Sequence, residues 1–240
     1  MAVQQYLMMG QASVQRKIIT GSLWMWGQNN AGQLGLGHDT NAAHLQTGEG
    51  EFWGDIPHQV GSLTDWQNTF SCGNGYYQVV LTVKSDGTLW GWGQNNVGML
   101  GLGDTTSRCS PTQVGSDTDW AEVIITSGNA CFGIKTTGAL YAWGDGVSGR
   151  LGLSSTTDYS SPVQVGSLTD WAHICQIGAG GRIVALKTDG TMWQWGSNWT
   201  TWHDGHFSSP VQVGTDTDWT DVMAAGYSAA YQINMAVKEA

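Results

Sequence analysis

The sequence predicts an all-β chain folded as a β-propeller, and three observations carry that prediction. A segment with two aromatics two residues apart, closing on Trp-Gly, recurs four times: GSLWMWG from Gly21, GTLWGWG from Gly87, GALYAWG from Gly138 and GTMWQWG from Gly190. A second segment alternates with it: PHQVGSLTDW from Pro57, PTQVGSDTDW from Pro111, PVQVGSLTDW from Pro162 and PVQVGTDTDW from Pro210. Glycine supplies 35 of 240 residues and charged residues only 12%, roughly twice and half of ordinary usage (~7% and ~25%). Intervals of 66, 51 and 52 residues between the aromatic segments fit one supersecondary unit stacked on itself.

Each element of the unit has its own signal. In LWMWG, Trp24 and Trp26 share one face of a strand and Leu23 and Met25 the other, because side chains alternate with period two. Trp90/Trp92, Tyr141/Trp143 and Trp193/Trp195 repeat the pattern. Asp86-Gly87 and Asp189-Gly190, with Thr20-Gly21 and Thr137-Gly138, read as hairpin turns between two apolar strands. NNAGQLGLG is a glycine-rich loop, and PxQV is a short strand whose proline suits an edge. After each TDW comes an apolar stretch, a glycine and a second apolar stretch, as in VIITSGNACFGIKTTG from Val123; the opening YLMMGQASVQRKIITG fits the same pattern. A unit is therefore three or four short antiparallel strands, the content of one propeller blade.

These motifs resemble the regulator of chromosome condensation repeat family, and the resemblance covers almost the whole chain. It implies a β-propeller, usually of seven blades. The sequence departs from the family in three ways. The family's histidine after the strand–Gly–strand glycine is replaced by Ser13, Tyr76, Cys131, Gly181 and Ala229. The first loop carries the insertion HDTNAAHLQTGEGEFWGDI, and the fourth reads SNWTTWHDGHFSS instead of GQLG. The count is also short: blades fall at about 1–61, 62–115, 116–166 and 167–214, with a partial blade at 215–240. Four and a half blades predict either a small ring or, preferred here, an open arc that buries its ends against other subunits, since an unpaired edge strand is an association site.

Composition excludes several functions. A formal charge of −10 with nine scattered basic residues speaks against nucleic acid, which needs clustered Lys and Arg. No apolar run approaches a membrane span. The start MAVQQYLMMGQAS has no basic residue ahead of an apolar part broken by Gln4, Gln5 and Gly10, so no signal peptide is expected. Cys72, Cys109, Cys131 and Cys175 show no CxxC spacing and read as reduced thiols in or near the core. No Walker loop, nucleophile elbow, HExxH or dinucleotide fingerprint is present. The expectation is a non-enzyme with no cofactor and no metal; His203, Asp204 and His206 lack the further ligands a metal site needs.

The tryptophans divide into two sets. Trp24, Trp26, Trp90, Trp92, Trp143, Trp193 and Trp195 of the aromatic strand, with Trp66, Trp120, Trp171 and Trp219 of TDW, are expected between blades as structural core. Asp65, Asp119, Asp170 and Asp218 of TDW, or the Thr before each, are expected to cap the turn before each Trp, an acidic ring for a cation or a basic partner being the alternative. Trp53, Trp199 and Trp202 fall outside the repeat, in the two altered loops, and loop aromatics are the usual anchors of an interface. His203, Tyr227 and Tyr231 complete the candidate interface residues.

Members of the family serve as a GTPase exchange factor, as ligase-associated and adaptor modules and as a secreted inhibitor; binding protein through loops is what they share. The expected function is a structural or protein-interaction propeller. Short, charge-poor versions of the repeat resemble those of bacterial viruses, which makes a virion component (head decoration, tail or fibre) the narrower expectation, with a cytoplasmic location otherwise. A surface-glycan-binding module using the loop aromatics, and a protein-binding regulator or inhibitor, are the alternatives.

Overall fold

The computed structural model describes residues 20–39, 56–72, 78–177, 181–196, 206–225 and 233–238. Among them there is no α-helix. Two-residue strands β1 (Thr20–Gly21), β2 (Trp24–Met25) and β3 (His58–Gln59) open the chain. They are followed by β4 (Trp66–Cys72), β5 (Val79–Lys84), β6 (Leu89–Gly93) and β7 (Arg108–Gln113), which form one sheet in sequence order with β1 outside β4. β8 (Trp120–Ile125), β9 (Ala130–Lys135), β10 (Leu140–Gly144) and β11 (Tyr159–Gln164) make the next. β12 (Trp171–Ile177), β13 (Arg182–Lys187), β14 (Met192–Gly196) and β15 (Phe207–Gln212) make the third. β16 (Trp219–Ala225) pairs with β17 (Ile233–Lys238), and β2 pairs with β3, as two-stranded sheets. All pairings are antiparallel.

Each four-stranded sheet is thus strand–Gly–strand, then the aromatic strand, then PxQV. The second strand is buried from end to end, in β5 (VVLTVK) and in β9 (ACFGIK). A strand covered on both faces reads as a continuous apolar run rather than an alternation, which is how these stretches look in the sequence.

The core lies between successive sheets rather than inside any one of them. Leu81, Leu89, Leu100 and Val114 pack on Trp120, Val123 and Trp143 of the next sheet. Phe132, Leu140, Leu151 and Val165 pack in the same way on Trp171, Ile174, Ile183 and Trp195. Leu23 and Val60 meet Trp66, Val80 and Trp92 at the first joint, and Val184 and Leu186 meet Val222 at the last. Cys131 is buried, Cys109 and Cys175 are half-buried, and all three are free thiols. Burial raises the thiol of each, that of Cys175 to about 12, so none is a reactive thiolate at neutral pH.

Candidate functional site

The joint between sheets is a repeated piece of chemistry, built the same way three times. At its centre the TDW tryptophan meets both aromatics of its own aromatic strand edge-on. Trp66 lies 6.0 Å from Trp90 and 5.8 Å from Trp92, Trp120 lies 5.4 Å from Tyr141 and 6.1 Å from Trp143, and Trp171 lies 6.0 Å from both Trp193 and Trp195. Edge-to-face contact sets a positive ring edge on a negative ring face, the favoured aromatic geometry.

The second aromatic then reaches back to the preceding unit. The indole N–H of Trp92 donates to the Gln33 carbonyl at 2.9 Å, that of Trp143 to Met99 at 2.8 Å and that of Trp195 to Arg150 at 3.0 Å. Every acceptor sits in the glycine-rich loop of the unit before. In the first two loops a buried asparagine holds the shape: Asn29 Oδ1 accepts from Leu34 N and Asn95 Oδ1 from Leu100 N, while Asn95 Nδ2 donates to the Asp104 and Thr106 carbonyls. Backbone closes the joint, since the Trp120 and Trp171 N–H groups donate to the turn carbonyls of Gly87 and Gly138 at 3.1 Å each.

A lysine completes each unit. Lys84, Lys135, Lys187 and Lys238 end the second strand and lie over the TDW tryptophan, at 4.7, 5.2, 4.9 and 4.5 Å from the ring centres. The same ammonium groups pair with Asp65 (3.7 Å), Asp119 (2.9 Å), Asp170 (3.4 Å) and Asp218 (3.0 Å). The TDW aspartates are therefore counter-ions of a lysine–tryptophan stack, with the lysine buried at Lys84, Lys135 and Lys187 and exposed at Lys238, a role other than the expected turn cap. They form no open acidic ring, because each already faces its own cation. Two joints add a second carboxylate, Asp117 and Asp216, at the place where the other two carry exposed Leu63 and Leu168. The repeated lysine just before each turn (VKSDG, IKTTG, LKTDG, VKEA) is the sequence signal that could have revealed this pairing.

The first unit departs from the others. Trp92, Trp143 and Trp195 are at most 1% exposed, whereas Trp26 is 60% and Trp24 48% exposed. The expectation that Trp24 and Trp26 are inter-blade core is therefore corrected. Their strand is the same, but no preceding loop among the described residues lies on it. At the first joint a groove of about 390 Å³ opens between the loop Gly35–Leu36–Gly37 and the rings of Trp66 and Trp90, with exposed Leu63 on its rim. Trp53, Trp199, Trp202, His203, Tyr227 and Tyr231 lie outside the described residues, as do Ser13, Tyr76 and Ala229. Among the described residues no helix is long and apolar enough to cross a membrane, and no three His, Cys, Asp or Glu side chains cluster as a metal site would require.

The chain is similar to several known proteins. It is 34% identical over 186 residues to "RCC1 domain-containing protein RUG3, mitochondrial" and 29% over 180 residues to "Ultraviolet-B receptor UVR8", both of Arabidopsis thaliana; each alignment takes 74% of this chain and 38% of the relative. It is 30% identical over 181 residues to the human "E3 ubiquitin-protein ligase HERC2", of which it spans 4%. Among solved structures it aligns over 93% of its length with yeast RCC1 (Prp20) bound to Kap60, at a TM-score of 0.69 and 16% identity, matching 52% of that chain. A second structure, of Prp20p from Saccharomyces cerevisiae, a protein described with its binding to Gsp1p and histones, gives a TM-score of 0.66 at 15% identity. These two show the fold, an all-β propeller of which this chain spans about half. The family model for the regulator of chromosome condensation (RCC1) repeat matches residues 20–79, 86–128 and 137–186, and the chain belongs to the RCC1 repeat family.

Proposed function

We propose that this chain is a non-enzymatic interaction module that works by binding other protein subunits. The observation that carries the reading is the first unit, where Trp26 is exposed although its counterparts Trp92, Trp143 and Trp195 are core, and Trp24 is exposed where Trp90, Tyr141 and Trp193 are half-buried. Monomers seldom expose contiguous apolar surface without a partner for it, and buried Trp anchors dominate protein interfaces. Relatives support it at the level of fold: a Prp20 propeller has been solved bound to Kap60. Partners of strong positive field suit the net charge of −10, whereas the lysines that anchor each unit are tied to aspartates and present no basic patch. The narrower readings, a subunit of a virus particle or a glycan-binding surface, rest on the sequence alone.

The test is a binding titration of the purified chain against proteins recovered with it under native conditions, each then purified separately. A saturable complex, weakened at least tenfold by Trp26→Ser with the fold unchanged by circular dichroism, is the expected result. Turnover of a substrate, or no protein complex of any kind, would sink the proposal.

A further inference from the structure

The charged groups of the repeat gather at one end of the sheets. The hairpin turns after Lys84, Lys135 and Lys187 lie at the same end as the connections that run into TDW. There the N–H groups of Ser85, Thr136 and Thr188 donate to the carbonyls of Asp65, Asp119 and Asp170. Among the described residues this turn end carries eight aspartates: the four of TDW, Asp117 and Asp216 shortly before two of them, and Asp86 and Asp189 of the turns. Its cations are Lys84, Lys135, Lys187 and Lys238. Each TDW aspartate has its own lysine, so Asp86, Asp117, Asp189 and Asp216 are in excess. At the opposite end, where the glycine-rich loops lie, the described charges nearly cancel: Asp39, Asp104, Asp145 and Asp158 against Arg108, Arg150 and Arg182.

Burial sharpens the difference. The Lys84 and Lys187 side chains are 5% exposed and that of Lys135 10%, while those of Asp65, Asp119 and Asp170 are 37–38% and that of Asp117 53% exposed. Ammonium groups sit inward over the tryptophan rings and carboxylates face solvent, so this end presents a negative field to an approaching partner.

The same end has an apolar seat. The first joint carries Leu63 where the second carries Asp117, and exposed Leu63 stands on the rim of the groove bounded by Trp66 and Trp90. Trp66, which lines that groove, is 4% exposed, and its indole N–H has no acceptor among the described residues. A buried donor without an acceptor calls for an explanation.

We propose that the turn end is a docking face for a basic protein segment. One apolar side chain of the segment sits in the groove beside Leu63, its flanking Lys or Arg side chains lie over the surplus aspartates, and a main-chain carbonyl accepts from Trp66. Charge complementarity selects this occupant. A purely apolar segment suits the groove but not its surroundings, and an acidic or phosphorylated one meets like charge. The inference rests on the interaction-module reading and adds to it a surface that does not involve Trp24 or Trp26.

The test is an NMR titration of the full chain with a synthetic peptide of lysines around one central leucine. Saturable shifts are expected for the Trp66 indole and for the Leu63, Asp117 and Asp119 amides, with the glycine-rich loops unmoved. A peptide with glycine for the leucine should bind about tenfold more weakly, the scale of one partly buried leucine. Leu63→Ser should erase that difference, and high salt should weaken the wild-type complex. Equal binding of the glycine peptide, equal binding of a glutamate counterpart, shifts confined to the glycine-rich loops, or the same shifts from a neutral oligosaccharide each overturn the proposal. So does a native protein complex that Trp26→Ser weakens but Leu63→Ser and competing lysine peptide leave unchanged; that outcome keeps the interaction-module reading. The glycine-peptide and salt measurements use the wild-type chain, so they stand whatever Leu63→Ser does to folding.

Discussion

Lys135 shows how much one residue carries in this fold. Its ammonium lies over Trp120 and Tyr141 and bonds Asp117 and Asp119. Desolvation opposes its charge, but the two carboxylate bonds outweigh it, and its pKa sits above the ordinary lysine value. Replacing it by Met keeps the stem and removes the cation; the expected loss is about 1–2 kcal/mol, the range of a partly desolvated cation–π contact, read from urea unfolding. A raised lysine stabilises the fold at every pH below its unfolded value of about 10.4 and stops doing so as pH climbs through the folded one. Wild-type stability should therefore fall above that pH, and Lys135→Met should fall less. At the acid end, the Thr88 and Thr191 hydroxyls donate to Asp86 and Asp189 at 2.6 Å each and hold both carboxyls below the usual range. Depressed carboxyls stabilise above about pH 3.9 and lose that contribution as pH falls through the folded value. An Asp189→Ala variant should lose part of the acid limb of the stability profile and none of the alkaline limb.

At the scale of elements, the hairpin turn is where one unit meets the next. Gly138 has φ +81°, and a Cβ there would lie 2.2 Å from the Thr169 carbonyl oxygen of the following unit. Gly166 has a similar φ of +65° with nothing within 4 Å. Gly166→Ala should cost about 1–2 kcal/mol, the left-handed backbone penalty. Gly138→Ala should cost about 1–3 kcal/mol more, the price of overpacking, and thermal unfolding of the pair separates the two terms. Trp143→Phe keeps the ring contacts but leaves the Met99 carbonyl only the weak Cys131 thiol donor at 3.4 Å; a loss of about 0.5–1.5 kcal/mol is expected, the net contribution of one hydrogen bond.

The strands and turns were legible because each has a local signal: alternating aromatics, Asp-Gly, and proline at an edge. The joint was not legible to the same degree. A lone lysine closing an apolar run looks like the polar end of a strand until its aspartate, 16 to 20 residues earlier in sequence, is brought beside it. Asn29 and Asn95 stand in segments that read only as glycine-rich loops, yet they are fully buried and hold the loops on which the next unit's tryptophan rests. Trp24 and Trp26 were misplaced for a different reason. GSLWMWG and GTLWGWG differ little, and burial is decided by the neighbouring unit rather than by the residue.

For the whole molecule, stability is a sum of sheets and joints along one dimension, because each sheet packs on the next in chain order. The outer joints should open first. The second and third joints each bury a dozen or so side chains and are flanked on both sides by complete four-strand units. Hydrogen exchange in native conditions should show β9 and β13 amides as the most protected. Most direct is the exchange of the indole N–H protons, followed by NMR. Trp92, Trp143 and Trp195 should form one slow set, protected by the loop carbonyls of the unit before, while Trp90 and Trp193, which donate only to threonine hydroxyls two residues away, exchange fast. A Trp143 indole that exchanges as quickly as Trp193 would contradict the joint on which both the fold and its open edge depend.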